Sequence, residues 1–194
     1  MKGHYTPNMK WTNEIWGLDI FDDNDRYISC ADDGTLRLWS AKQRKMLKWL
    51  ALDTDATGKK YKKDKKKAKG DLQEKAKAIS CAVSPDQKWI VVGFKEGTVS
   101  VVSIDEWKIT MVLKKAKERI GEIKFSPDGK FVAIGSNDNA IYVHSWPSMK
   151  MPKKRKLNKH SSYITHFDWS MDSTSLHSTC GAYDFLFWDA VEGC

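Results

Sequence analysis

The 194-residue sequence lacks the usual features of membrane and secreted proteins. It has no run of about 18 consecutive apolar residues, which a membrane-spanning helix needs. Its first residues, MKGHYTPNMK, lack the apolar core of a secretory signal peptide. The four cysteines, Cys30, Cys81, Cys180 and Cys194, are far apart and show neither a C-x-x-C motif nor a paired framework. We therefore expect a cytosolic protein with no membrane partner, whose cysteines are reduced thiols in the core.

Catalytic and cofactor motifs are also missing from the sequence. It contains neither a GxxxxGK[ST] loop nor a GxGxxG fingerprint, the two glycine-rich patterns that cradle phosphates. The histidines lie on different segments, without the spacing of a Ser-His-Asp triad or of a metal-binding motif. They are His4, His144, His160, His166 and His177. We therefore expect no enzyme, no catalytic residue, no cofactor and no metal site.

Positive charge is concentrated in two short segments. The chain has a formal net charge of +8, but residues 59–77 alone carry +7 and residues 150–159 carry +6, which leaves −5 for the remainder. The basic character therefore belongs to these segments and not to the folded body. The first segment predicts a lysine-rich loop insertion over residues 51–77, and the second predicts a basic connection over residues 150–159.

What the sequence does contain is an internal repeat. Three segments align without gaps: AVSPDQKWIVVGFKEGTVSVVS from Ala82, KFSPDGKFVAIGSNDNAIYVHS from Lys124 and DWSMDSTSLHSTCGAYDFLFWD from Asp168. A fourth copy, GLDIFDDNDRYISCADDGTLRLWS, begins upstream at Gly17. The spacing of the three aligned segments falls in the range of about 40–45 residues that is typical of one four-stranded propeller blade.

The repeat predicts an all-β fold. Runs such as WIVVG from Trp89 are apolar on both faces, as expected of a strand between two neighbouring sheets. We predict four consecutive blades, at about residues 11–50, 78–113, 119–150 and 160–194. The last blade lacks its outer strand, so we expect an open fragment of a larger propeller, whose remaining blades are a necessary partner.

Several strings allow a family to be named. The Gly3-His4 pair, the SPD turns, the run DGTLRLWS from Asp33 and the Trp188-Asp189 pair resemble WD repeats. HSSYITHFDWS from His160, GAYDFLFWD from Gly181 and EIWGL from Glu14 resemble, more narrowly, the echinoderm microtubule-associated protein-like family. This resemblance implies two tandem propellers, of which the chain covers about half of the second, atypical one.

The family resemblance also implies a function. It implies a non-catalytic cytoskeletal scaffold that binds tubulin, microtubules or other cytoskeletal proteins. The implied location is the cytoplasm, on microtubules, with the ciliary axoneme as one setting. A generic WD-repeat scaffold in an unrelated complex remains an alternative, as does a propeller that binds nucleic acid or another polyanion. Nucleic acid is the less favoured partner, because Tyr61 is the one aromatic residue among the lysines of the first basic segment.

The resemblance to WD repeats further implies a structural tetrad of Asp, His, Ser and Trp side chains in a blade. In the first repeat the matching residues are Asp33, His4, Ser29 and Trp39. In the fourth repeat His160, Ser178 and Trp188 match, but Ala182 stands at the position of the acid. We therefore expect a complete tetrad in the first blade and an incomplete one in the fourth.

The two basic segments are candidate partner-binding elements. Because propeller topology sends the connections between blades to one face, we expect both segments to act on a shared polyanion. The candidate residues are Lys59, Lys60, Lys62, Lys63, Lys65, Lys66, Lys67, Lys69, Lys153, Lys154, Arg155 and Lys156. The alternative is that they form solvated loops without a partner.

Overall fold

A computed structural model describes residues 4, 14–52, 77–152 and 155–190 of the chain. These residues form four antiparallel sheets. The first blade contains β1 (Ile15–Ile20), β2 (Arg26–Ala31), β3 (Thr35–Ser40) and β4 (Lys45–Ala51), and the second contains β5 (Ala78–Val83), β6 (Trp89–Phe94), β7 (Thr98–Ser103) and β8 (Lys108–Lys114). The third contains β9 (Ile120–Phe125), β10 (Phe131–Ser136), β11 (Ile141–Ser145) and β12 (Lys156–Leu157), and the fourth contains β13 (Ile164–Trp169), β14 (Ser175–Cys180) and β15 (Phe185–Asp189).

Each blade is a meander in which consecutive strands pair. Over the described ranges, no helix is long and apolar enough to cross a bilayer. The four sheets do not close into a ring, and the fourth has three strands within the described residues. The predicted fold is therefore confirmed: the chain is an all-β, open fragment of a propeller.

Ser-x-Asp turns join the first two strands of three blades. In the second blade, Ser84 Oγ donates a hydrogen bond to Asp86 Oδ1 at 2.5 Å and accepts one from Trp89 N at 3.0 Å. The equivalent turn of the third blade has the same two bonds, with Ser126 in the central role. These side chains satisfy the backbone of the turn locally, which explains why the motif recurs in the sequence.

The hydrophobic core lies between neighbouring blades. Alternate residues of one strand serve two different interfaces: Ile90 and Val92 of β6 pack towards the first blade, whereas Val91 packs towards the third. This alternation is the reason that the strand is apolar on both faces. A third cluster, which includes Ile141 and Trp188, joins the third and fourth blades.

The outer strand of the third blade differs from the prediction. The repeat pattern predicts that this blade ends near residue 150 and that residues 150–159 are a connection. The structure instead places β12 within that range, with Leu157 opposite Ile141 and Lys156 opposite Tyr142. Leu157 is buried in the cluster between the third and fourth blades. A strand of two residues, with Leu157 as its single apolar residue, is too short a pattern to be recognised in the sequence.

Candidate functional site

The first blade carries a complete buried tetrad. Trp39 Nε1 donates a hydrogen bond to Ser29 Oγ at 2.8 Å, and this oxygen lies 2.8 Å from His4 Nε2. His4 Nδ1 lies 2.9 Å from Asp33 Oδ2. Since the Asp33 carboxylate can only accept, the Nδ1 proton is directed at Asp33, and in the neutral ring Nε2 then accepts from the Ser29 hydroxyl. The tetrad thus ties His4, which precedes β1 in the chain, to β2, to β3 and to the turn between them.

Asp33 makes more hydrogen bonds than the other members of this tetrad. It also accepts hydrogen bonds from Arg37 Nη2 at 3.0 Å and from the Thr35 backbone N–H and hydroxyl at 2.9 and 2.7 Å. Burial raises the pKa of Asp33, but the hydrogen bonds from His4 and Thr35 outweigh it and hold the pKa below its ordinary value. The carboxylate is therefore ionised and fully engaged within the blade.

The fourth blade has the same arrangement with one vertex missing. Trp188 Nε1 donates to Ser178 Oγ at 2.7 Å, and this oxygen lies 2.6 Å from His160 Nε2. The other ring nitrogen of His160, Nδ1, is buried without a hydrogen-bond partner. Ala182 stands where Asp33 stands in the first blade, so it offers no acceptor. Burial lowers the pKa of His160, which favours the neutral ring.

The two middle blades depart further from the tetrad. At the tryptophan position, the second blade has the buried Val102 and the third blade has His144. His144 is 2% exposed, and neither of its ring nitrogens has a hydrogen-bond partner. Burial, with a smaller contribution from the charge of Lys115, lowers the pKa of His144 to about 4. These blades are therefore stabilised by apolar packing rather than by a tetrad.

Carboxylates on the inner strands tie neighbouring blades together, a feature that the repeat pattern did not reveal. Asp19 Oδ2 accepts a hydrogen bond from Val83 N at 2.7 Å, across the interface of the first and second blades. Glu122 Oε2 accepts one from Phe167 N at 2.8 Å, across the interface of the third and fourth. Burial raises the pKa of both carboxyl groups. The available signal is an acidic residue inside a strand of otherwise mainly apolar sequence.

The basic residues can be located only in part. Residues 53–76, which include the eight candidate lysines of the first segment, lie outside the described residues, as do Lys153 and Lys154. The Arg155 guanidinium lies 4.4 Å from the centre of the Phe131 ring, and Lys156 Nζ lies 5.4 Å from the centre of the Tyr142 ring. Both cations are partly buried against their own blade. A shared face for the two segments stays a prediction.

The two end blades expose apolar side chains on the faces that point away from their neighbours. On β1, Leu18 and Ile20 are 64% and 67% exposed, while Asp19 between them bonds to the second blade. On β15, Phe185 and Phe187 are 54% and 75% exposed, while Trp188 packs towards the third blade. Because side chains alternate along a strand, these exposed residues form outward apolar faces at both ends of the arc.

The successive antiparallel meanders, the tetrad of the first blade and the apolar interfaces between blades define a fragment of a WD-type β-propeller. A family model described as the echinoderm microtubule-associated protein second beta-propeller matches residues 15–194. The chain therefore belongs to this family, which confirms the resemblance seen in its motifs.

Relatives of the chain carry the same family name. It is 31% identical over 185 residues to echinoderm microtubule-associated protein-like 3 of Mus musculus, covering 94% of this chain and 18% of that protein. It is 31% identical over 182 residues to the 77 kDa echinoderm microtubule-associated protein of Strongylocentrotus purpuratus, covering 93% and 23%. It is 31% identical over 191 residues to echinoderm microtubule-associated protein-like 1 of Homo sapiens, covering 97% and 21%. The chain thus spans about a fifth of the length of these relatives.

Proposed function

We propose that the chain is part of a non-catalytic microtubule-associated scaffold, which binds tubulin or other cytoskeletal proteins through its loop faces and basic segments. The observation that carries the proposal is membership of a family whose proteins are named for microtubule association. The concentration of net positive charge in two segments adds a chemical rationale, because the tubulin tails on a microtubule are acidic.

The polar groups in the described part of the chain support a scaffold rather than an enzyme. The buried His, Ser and Asp side chains of the first blade bond to one another within the tetrad. The inner-strand carboxylates of Asp19 and Glu122 bond to backbone N–H groups of the neighbouring blade. Groups that hold strands together in this way are not presented to a substrate.

The proposal includes the remaining blades of the propeller as partners of the chain. Both end sheets turn apolar side chains outward, and such faces are stable in water when another sheet covers them. The edge strand β15 also has no outer neighbour among the described residues. A further blade at each end would cover these two surfaces.

The location that follows is the cytoplasm, on microtubules, and the ciliary axoneme is one such place. Fluorescent labelling of the intact protein tests it, since microtubule filaments or axonemes are the expected pattern. Exclusively nuclear or diffuse fluorescence would contradict it.

Co-sedimentation with stabilised microtubules tests the binding itself. In the test variant of the intact protein, seven lysines of the first basic segment are changed to Glu: Lys59, Lys60, Lys62, Lys63, Lys65, Lys66 and Lys67. A control variant makes the same change in charge at seven exposed lysines on the blades: Lys42, Lys45, Lys48, Lys88, Lys95, Lys117 and Lys130. We expect the test variant to lose at least tenfold in affinity and the control variant to lose much less.

The salt dependence of pelleting completes the test. Binding of the unchanged protein should weaken steeply between about 50 and 200 mM salt, because contacts between lysines and a polyanion are screened. Binding that is insensitive to salt and equal in both variants would overturn the electrostatic proposal. Binding of the protein to heparin, without any co-sedimentation with microtubules, would favour the nucleic-acid alternative instead.

A further inference from the structure

Three side chains of the fourth blade bring metal-ligand atoms together. His160 precedes β13, Cys180 ends β14 and Asp184 precedes β15. One ligand atom from each of them lies within 4.8 Å of the other two. In the described part of the chain, no other group of His, Cys, Asp and Glu side chains has this property. The three residues are separated in the sequence, so no motif predicts the cluster.

Alignment with the first blade places the unpartnered nitrogen of His160 on the side of this cluster. Its Nε2 is occupied by Ser178 at 2.6 Å, whereas Nδ1 is buried without a partner and the residue is 5% exposed. In the first blade the equivalent nitrogen of His4 lies 3.1 Å from Thr35 Oγ1. When the two blades are aligned through their tetrad Ser and Trp residues, Asp184 takes the position of Thr35. A buried ring nitrogen with no partner costs about 1–3 kcal/mol, so a ligand bound to this nitrogen would recover that free energy.

We propose that His160, Cys180 and Asp184 form a site for a zinc-like divalent metal ion, which takes the place of the carboxylate that the tetrad lacks at Ala182. Imidazole, thiolate and carboxylate are the ligands that zinc uses, and three protein ligands leave a fourth position for water.

The present distances need little adjustment to hold such an ion. Cys180 Sγ and Asp184 Oδ2 are 3.3 Å apart. A tetrahedral zinc ion with ordinary bond lengths would set its sulfur and oxygen ligands about 3.6 Å apart. A movement of about 1 Å by the imidazole would bring the third ligand into the same range, since the three atoms already lie within 4.8 Å.

Charge and hydrogen bonding also suit a divalent ion. The Cys180 thiol loses its proton to solvent on binding, so that thiolate and carboxylate together balance the two positive charges. With Nδ1 bound to the metal, the ring proton of His160 lies on Nε2, and the two lone pairs of Ser178 Oγ accept from Nε2 and from Trp188 Nε1. Asp184 Oδ2 is held in place by the Ser161 backbone N–H at 3.2 Å and by the Ser161 hydroxyl at 2.5 Å.

The bound ion would link the strands of the fourth blade at the position where its tetrad lacks an acid. The three ligands come from the segments that enter β13, leave β14 and enter β15, which are the segments that His4 and Asp33 join in the first blade. An ion bound to the folded blade and not to the unfolded chain stabilises the fold by mass action.

Titration of the full chain with Co²⁺, followed by displacement with Zn²⁺, tests the proposal. We expect a thiolate-to-cobalt charge-transfer band and visible bands of tetrahedral cobalt, both abolished by Zn²⁺. At a Zn²⁺ concentration of one hundred times Kd, the Tm should rise by about 5–10 °C. Cys180→Ser should remove the charge-transfer band, and Asp184→Asn, a change at a partly exposed side chain, should weaken binding at least tenfold.

Cys30→Ser serves as the matched control, because Cys30 is also a buried thiol but is not part of the ligand cluster. This variant should keep the charge-transfer band and the thermal shift. If millimolar Co²⁺ gives no band with the unchanged chain, the proposal is wrong. It is equally wrong if the band survives both Cys180→Ser and Asp184→Asn, since the metal would then be bound elsewhere.

Discussion

The first and fourth blades have the same tetrad geometry and differ at one vertex. In both, Ser and Trp are ten residues apart and the indole donates to the serine oxygen at 2.7–2.8 Å. In both, the histidine Nε2 lies within 2.8 Å of that oxygen. The acid is Asp33 in the first blade and is replaced by Ala182 in the fourth. The comparison teaches that a blade can lose one polar vertex while the others keep their positions, because packing of the surrounding strands holds them.

The inner strands of these two blades differ in a related way. Gly17 of β1 lies so close to the second blade that a Cβ there would be 2.5 Å from Cys30 Sγ and 2.9 Å from the backbone N of Cys81. The aligned residue in the fourth blade is His166, whose Nδ1 lies 2.8 Å from Glu122 Oε1 of the third blade. At this strand position the first interface therefore has a close backbone approach, whereas the last has a pair of polar side chains.

The largest expected effect comes from converting the first blade to the pattern of the fourth. Asp33→Ala should lower the free energy of unfolding by about 3–5 kcal/mol, because it removes the buried carboxylate that accepts hydrogen bonds from His4 Nδ1 and from the Arg37 guanidinium. Urea denaturation of the chain measures the loss. Asp32→Ala is the control, since Asp32 accepts one exposed bond from Trp16, and it should cost less than about 1 kcal/mol. Equal losses would show that the tetrad acid has no special role.

A second prediction concerns the outward faces at the two ends of the arc. If a further blade covers β15 in the intact protein, Phe187→Ala should destabilise that protein by about 3 kcal/mol, the usual loss for a buried aromatic side chain. Met171→Ala is the control, because Met171 is 89% exposed on a turn. Thermal unfolding of the intact protein measures both. A loss no larger than that of the control would mean that the face of Phe187 is not covered.

A third prediction concerns His144, which stands in the third blade where Trp39 and Trp188 stand in the first and fourth blades. The folded-state pKa of His144 is about 4, below its ordinary value of 6.5, so the unfolded chain binds more protons between these two values. The neutral ring therefore does not lower stability above pH 6.5, and the free energy of unfolding falls by about 3 kcal/mol as the pH is lowered towards 4.

His144→Phe tests the origin of this pH dependence. The variant removes the titrating ring from a buried position, so its free energy of unfolding should fall less steeply between pH 6.5 and pH 4. His177→Phe, a change at a partly buried histidine of the fourth blade, should retain the pH dependence of the unchanged chain. Identical slopes in the two variants would contradict the assignment to His144.

The smallest effect is expected from restoring the acid to the fourth blade. In metal-free buffer, Ala182→Asp should raise the free energy of unfolding by about 1 kcal/mol, because His160 Nδ1 gains an acceptor. Denaturation in the presence of a chelator measures the gain. Ala182→Asn is a control that keeps the size of the side chain without its charge, and it should gain less. A destabilised Ala182→Asp would show that the two tetrads are not equivalent.

The repeat-scale features were predictable because their causes are local. Each Ser-x-Asp turn bonds within six residues, and each apolar run of a strand reports burial on both faces. The short β12 was not predictable, since its pairing with β11 depends on Leu157 reaching the interface between the third blade and the fourth. The same is true of the cross-blade bonds of Asp19 and Glu122, whose partners lie more than forty residues away.

The blade unit, the family resemblance and the candidate tetrad residues can be read from the sequence, because a period of about 42–44 residues and short polar motifs are local properties of a chain. Tertiary structure alone decided which polar groups find a partner. It pairs His4 with Asp33 across 29 residues and leaves His160 Nδ1 unpaired beside Cys180 and Asp184. The physical reason is that hydrogen bonds and metal ligands depend on distances of a few ångströms, which only the stacking of strands and blades sets.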